Sequence, residues 1–197
     1  MRQQLIRYTI FLAGASALAF AFPGQQAPPV PKAAPVPVAM PLPKFEVHFS
    51  PRGGCDEMWV REINRAEQGD TIACGFYNFT EQTIASALEA AVQRGVSVSV
   101  VSDWKASQQT KQKTVLKEMS KRGVKVATDK HHQIFHDKFC VLSLHGDVSL
   151  LTGSYNPSES GRDKNAENAL AIRSEPELTK AYRDNLALHL AHSEPLK

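Results

Sequence analysis

Two rhythms of apolar and polar positions run through this chain. Phe45 to Ser50 alternates with period two, as a half-buried strand does. From Glu57 to Gln68 the apolar Trp59, Ile63 and Ala66 fall on one helical face. Thr71 to Asn78 is a short apolar run, read as a strand. Thr80 is placed to cap a helix in which Ile84, Leu88, Ala91 and Val92 share a face, and Gly95 ends it. Val96 to Val101 is then a β-branched strand ending near Asp103. Gln112 to Arg122 repeats the device: Val115, Leu116 and Met119 face inward, Gly123 stops the helix, and Val124 to Ala127 is the next strand.

The later part changes pattern. Phe139 to Leu144 and Val148 to Thr152 flank His145-Gly146-Asp147, which reads as a β-hairpin. Ala169 to Arg173 is a further strand. Ser174-Glu175-Pro176-Glu177 reads as a capping box, and Leu178, Tyr182 and Leu186 line one face of a last helix. Alternating strands and helices followed by a hairpin predict an α/β domain, a mixed β-sheet flanked by helices on both faces. Its chemistry belongs on loops at strand ends.

The first 43 residues follow other rules. Met1 to Arg7 carries two arginines and no acid, Tyr8 to Phe22 is short and apolar, and Ala17-Leu18-Ala19 and Ala19-Phe20-Ala21 offer small-residue cleavage sites. Residues 1–22 therefore read as a signal peptide or, if uncleaved, a membrane anchor; either places the domain outside the cytoplasm, periplasmic or secreted. Residues 23–43 are Pro/Ala-rich and nearly uncharged, the composition of an extended linker. Residues 44–197 remain, enough for one domain with a core of its own.

Composition narrows the classes. With 42% hydrophobic and 22% charged residues the chain is neither wholly disordered nor collagen-like. Three cysteines are too few for a disulfide scaffold. Cys55 and Cys74 are candidates to pair in an oxidising compartment, a point the sequence leaves open, while Cys140 reads as a small buried residue. The formal charge is +3, and without Arg2 and Arg7 it falls to +1, so any affinity for a polyanion must come from the placement of charges.

The stretch from Phe135 to Asn168 carries the chemistry. It holds His136-Asp137-Lys138, then Gly153-Ser154-Tyr155-Asn156, then Asn165-Ala166-Glu167-Asn168. In a strand, residues two apart point the same way, so His136 and Lys138 present an imidazole and an ammonium to one small volume. A phosphodiester suits that pair: lysine holds anionic oxygens while histidine attacks or moves a proton. Ser154 and Asn156, also two apart, are candidates for phosphate contacts, and Glu167 for holding the far nitrogen of His136.

This set resembles the HKD motif of the phospholipase D superfamily, and most of all its small single-motif, Nuc-type bacterial endonucleases. The resemblance extends through Phe49-Ser50-Pro51, Phe76-Tyr77-Asn78-Phe79-Thr80 and Arg94-Gly95-Val96. It implies a phospholipase D-like fold and a metal-independent phosphodiesterase, an endonuclease cleaving DNA or RNA through a covalent phosphohistidine. His136, Lys138 and Glu167 would be catalytic, with Lys138, Ser154 and Asn156 on the phosphate. No cofactor is implied. Single-motif members build one site across a homodimer, so the implied partners are nucleic acid and a second copy, with membrane contact only if the N-terminal segment stays uncleaved. The alternatives are a phospholipid phosphodiesterase and a weakly active nucleic-acid-binding protein. One position departs from the family pattern: Ser143 stands where an aspartate is expected, with Asp147 nearby as a substitute.

Plainer readings apply around the motif. His131, His132 and His136 with Asp129 and Asp137 resemble a metal cluster, and the His132/His136 spacing suits a helical zinc pair. The β-type flanks argue against a helix there, so no metal is expected and His131 and His132 read as solvated loop residues. Trp104 reads as a half-buried packing residue rather than a base-stacking one. Lys105 to Lys125 holds seven basic residues and one acid, Glu118; it is either a solvated helix face or a phosphate-steering patch.

Overall fold

The computed structural model describes residues 42–196. The expected signal segment 1–22 and all but the last two residues of the linker 23–43 lie outside them. In chain order the elements are β1 (Phe45–Ser50), α1 (Cys55–Ile63), β2 (Thr71–Phe76), α2 (Gln82–Gln93), β3 (Ser97–Asp103), α3 (Trp104–Ser107), α4 (Thr110–Lys121), β4 (Lys125–Asp129), β5 (Lys138–Leu144), β6 (Asp147–Gly153), α5 (Glu159–Asp163), β7 (Glu167–Arg173), α6 (Pro176–His192) and β8 (Glu194–Pro195). They build one eight-stranded sheet in the order β1-β7-β6-β5-β2-β3-β4-β8. β2, β3 and β4 are parallel and the other pairs antiparallel, so the mixed sheet is as expected.

Strand alternation divides the core. Ile72, Cys74 and Phe76 of β2 and Cys140 and Leu142 of β5 face Met58, Trp59, Leu88, Leu116 and Met119 of α1, α2 and α4. The intervening Phe139 and Val141 turn to the other side, where Leu186 and Tyr182 of α6 cover them. Helices thus cap both faces. Each large apolar side chain fully buried this way contributes ~1.5–3 kcal/mol.

Local chemistry shifts several boundaries. α1 begins at Cys55 because Gly54 takes a left-handed backbone, and Asn64 ends it. Thr80 does not cap α2; Glu81 stands at that position, and the Thr80 and Glu81 N–H groups both donate to the Pro157 carbonyl. The capping box before α6 is not formed either. Ser174 has a positive φ and its hydroxyl donates to Asp147. α3 escaped the periodicity because it is one turn long, started by Asp103 accepting from Ala106 N–H.

The cysteine pairing is corrected. Cys74 and Cys140 are direct partners in the β2–β5 register and form the disulfide, and Cys55 is free and buried. Apolar runs hid the pairing, because it depends on strand register rather than spacing. With a sequence separation of 66 between the two cysteines, the cross-link contributes roughly 4 kcal/mol in the chain-entropy account. Burial and the neighbouring Asp56 push the Cys55 thiol up to about 11, so it is no nucleophile.

An ion network closes the sheet end carrying the β5–β6 turn. Glu62, wholly buried, accepts from Arg65 Nη1 at 2.7 Å, Arg173 Nε at 3.1 Å and Ser149 Oγ at 3.1 Å. Arg65 reaches Asp147 at 2.9 Å and Arg173 reaches Glu46 at 2.7 Å. Ser143 sits in this region, five residues along β5 from Lys138, about 17 Å at the rise of a strand. Asp147 therefore belongs to the Arg65 network and lies far from His136.

Candidate active site

Antiparallel register brings five chain segments to the opposite sheet end. Ser50 pairs with Glu167, Phe49 with Asn168, Gly153 with Ala169, and Phe76 with Lys138. Tyr77, Lys138, Ser154, Glu167 and Asn168 are consequently neighbours along one edge.

The loop carrying His136 is fastened on both sides. Buried Asp103 caps α3 with one carboxylate oxygen and with the other accepts from Phe135 N–H at 2.9 Å. Tyr77 N–H donates to the Asp137 carbonyl at 2.9 Å. Phe135 is buried over Gly75, where an added Cβ would come within 3.0 Å of its ring. Between these anchors the His136 side chain stays exposed.

Lys138 opens β5 and is 9% exposed. Its ammonium donates to the His136 carbonyl at 2.8 Å and stands 3.2 Å from His136 Nδ1. Both groups lean on the Tyr77 ring: the His136 ring centroid is 4.8 Å away and Lys138 Nζ is 5.5 Å over its face. Burial lowers the Lys138 pKa, and the charges of Glu167 and Asp137 partly oppose that. A half-desolvated ammonium, poorly matched by its own chain, is ready to receive an anion.

Across the edge, the Ser154 hydroxyl accepts from Asn168 N–H at 3.1 Å. The strands approach so closely here that a Cβ at Gly153 would meet the Asn168 carbonyl at 2.3 Å, so only glycine fits. Tyr155 buries its ring against Trp59 and thereby turns Ser154 outward. Asn156 lies further in, and its Oδ1 is buried without a partner among the described residues. Glu167 Oε1 accepts from Asn165 Nδ2 at 3.0 Å; among the described residues no hydrogen bond joins it to His136.

Three residues gained roles that spacing did not announce. Tyr77 and Asn168 sat in quoted segments without a task, and Asp103 marked only a strand end. Their functions depend on register. His131 and His132 are exposed loop residues as expected, but the His132 ring also binds Asp129 and packs on His189 and His192. Trp104, 37% exposed, lies under the Lys130 ammonium at 4.8 Å. Of the seven basic residues in Lys105 to Lys125, Lys111, Lys121 and Arg122 pair with Glu159, Glu118 and Glu89. Lys105, Lys113, Lys117 and Lys125 make no ion pair among the described residues. Gln112 ties this helix to the site, donating to the Tyr77 carbonyl at 3.0 Å and accepting from Phe79 N–H at 3.2 Å.

Comparison with known proteins bears on the family and the fold. The family described as "Cardiolipin synthase, PLD-like domain" matches residues 59–189. Proteins named phospholipase D from Rickettsia felis and Rickettsia conorii are each 30% identical over 142 residues, 72% of this chain and 67% of theirs. Among solved structures, Nuc from Salmonella typhimurium, a phospholipase D family member, is similar with a TM-score of 0.72 at 26% identity, over 77% of this chain and 96% of that one. NucT from Helicobacter pylori shares the fold, with a TM-score of 0.64 at 19% identity over 77% and 99% of the two chains.

Proposed function

This chain belongs to the phospholipase D superfamily and is a phosphodiesterase hydrolase, and on that premise we propose that it cuts the backbone of DNA or RNA through a covalent phosphohistidine on His136, working as an exported homodimer. The observation that carries the reading is the Lys138 ammonium 3.2 Å from the exposed His136 ring. An imidazole and a partly desolvated cation share one small volume, which is what in-line attack on an anionic phosphorus needs.

The chemistry balances with histidine alone. His136 Nε2 forms a bond to phosphorus as the bond to the leaving oxygen breaks, and that oxygen takes a proton from His136 of the partner subunit. Water then attacks phosphorus, gives its proton to the same partner imidazole, and the phosphorus–nitrogen bond breaks to free His136. Lys138 and Ser154 hold the equatorial oxygens, and Glu167 steadies a histidine.

Support for the second copy comes from the edge strand. Phe45, Val47 and Phe49 on β1 are 61%, 50% and 61% exposed, an apolar stripe ending beside Ser50 and Glu167. Such a stripe on an edge strand suits a C2 contact, the same patch meeting itself across the axis. Nucleic acid is favoured over other phosphodiesters by Lys105, Lys113, Lys117 and Lys125, which make no ion pair among the described residues and lie on and beside a helix tied to Tyr77, and by the likeness to Nuc. The Cys74–Cys140 disulfide favours an oxidising compartment, periplasmic or extracellular.

A phospholipid substrate is the second reading, favoured by the relatives named phospholipase D and by Ile134, exposed two residues before His136. Plasmid DNA, RNA and phospholipid vesicles, each incubated with wild type and His136→Ala in EDTA, separate the readings. Nucleic-acid cleavage that vanishes in the variant supports the first. Lipid turnover alone supports the second, and binding without turnover overturns both.

A further inference from the structure

Behind the catalytic loop lies a second group of chemistry-bearing side chains. β4 ends at Asp129, whose side chain is wholly buried. Three imidazoles converge on its Oδ2: His132 Nδ1 at 2.9 Å, His192 Nε2 at 3.1 Å and His189 Nδ1 at 3.4 Å. His132 comes from the loop after β4, while His189 and His192 are three apart on one face of α6. The four ligand atoms lie within 4.8 Å of one another.

Hydrogen bonding alone leaves this cluster incomplete. A carboxylate oxygen has two lone pairs, and three ring nitrogens crowd this one. Its twin, Oδ1, is already taken by the N–H groups of His131 and His132. His189 Nδ1 is left buried with no hydrogen-bond partner among the described residues. A cation accounts for the arrangement. Three imidazole nitrogens and one carboxylate oxygen are a borderline donor set that suits Zn²⁺ and not Mg²⁺ or Ca²⁺. Bonds of ~2.0–2.1 Å make the edges of a tetrahedron about zinc ~3.3 Å, close to the spacing of these nitrogens from Oδ2.

We propose that Asp129, His132, His189 and His192 bind one Zn²⁺ as a closed structural site. With four protein ligands the ion has no open position and takes no part at phosphorus. Its role is mechanical: it clamps the loop that delivers His136 to α6. The coupling is short. Asp137, between His136 and Lys138, places Oδ2 3.9 Å from His189 Nε2, the nitrogen left over once Nδ1 binds the ion. Phe135 packs edge-on against the His189 ring at 5.0 Å.

The test is metal binding by the full chain, purified without a histidine tag. One equivalent of Zn²⁺ is expected after dialysis, measured by atomic emission. Replacement by Co²⁺ should give the strong visible bands of a tetrahedral site, and adding Zn²⁺ to the stripped protein should raise its Tm. His189→Ala and His192→Gln should each weaken Zn²⁺ by ~100-fold or more, beyond the 10–100-fold typical of an outer-shell partner. His145→Ala, on the β5–β6 turn, should bind like wild type. Failure of the folded wild-type chain to bind one equivalent overturns the proposal, as does undiminished binding in both variants. None of these readouts uses turnover, so the result stands apart from the nuclease reading.

Discussion

Lys138 Nζ and His136 Nδ1 stand 3.2 Å apart, and an ammonium only donates. While Lys138 carries its proton, Nδ1 must therefore accept, which leaves the ring proton on Nε2, the nitrogen required to attack. A phosphate that draws Lys138 onto its own oxygens releases Nδ1 to take the proton and bares Nε2. Substrate binding and activation of the nucleophile become one event. In ¹⁵N NMR spectra at neutral pH, His136 should change tautomer on adding inorganic phosphate or tungstate, from a protonated Nε2 to a protonated Nδ1. An unchanged tautomer with bound anion would remove this link.

The same lysine should weaken the fold it serves. Its folded pKa lies below the ordinary 10.5 because of burial. Between those two values the unfolded chain binds more protons, so this group's contribution to stability rises with pH across that window. Lys138→Met should lose turnover by ~10²–10³ or more, as removal of one transition-state donor does. Its Tm should nevertheless exceed that of wild type at pH 7, with the gap closing toward pH 10.5. A lower Tm at pH 7 would show that the contacts with Tyr77 and His136 outweigh desolvation.

At the other end of the sheet, Arg173 is the partner that Glu62 needs. Burial raises the Glu62 carboxyl, but hydrogen bonds from Arg173 and Arg65 prevail and hold it below the usual range. Burial likewise raises Glu46, while His48, Arg173 and Arg61 bring it down to about 2. Both carboxylates thus contribute stability that is full above their ordinary 4.5 and is lost as pH falls through their lowered folded values, about 2 for Glu46. Arg173→Met leaves the buried Glu62 with Arg65 as its one hydrogen-bonded cation among the described residues and should cost up to ~3–5 kcal/mol in urea melts at pH 7. The acid-sensitive loss should be smaller in that variant than in wild type.

The β1 stripe makes the shared site testable. Phe49→Glu places a charge on an exposed position, so the fold should persist by circular dichroism. Sedimentation should show a monomer, and cleavage should fall at least ~10²-fold, the lower range for loss of general acid–base catalysis. A monomeric variant with wild-type turnover would contradict the two-subunit site.

Much of this is legible in the amino-acid sequence, for identifiable reasons. The helix-to-strand exits at Gly95 and Gly123 show in sequence because a positive φ needs a residue that tolerates it. His136 and Lys138 show because they lie only two residues apart, although His136 sits in the loop before β5 and not, as expected, in the strand. What depends on register does not show: the Cys74–Cys140 bond, the Tyr77 ring under the histidine, and the distance of Ser143 from the site. The Asp129 cluster was hidden differently. Half of it sits on α6, nearly sixty residues beyond the histidines that first suggested a metal.

The central claim is that His136 becomes covalently attached to phosphorus. A 5′- or 3′-labelled oligonucleotide mixed with the enzyme and quenched in alkaline denaturant within one turnover tests it most directly. The account predicts label migrating with the protein in wild type, mapped to His136 by mass spectrometry, and none in His136→Ala. Rapid cleavage by wild type with no label on the protein at any quench time, or turnover surviving in His136→Ala, would contradict it.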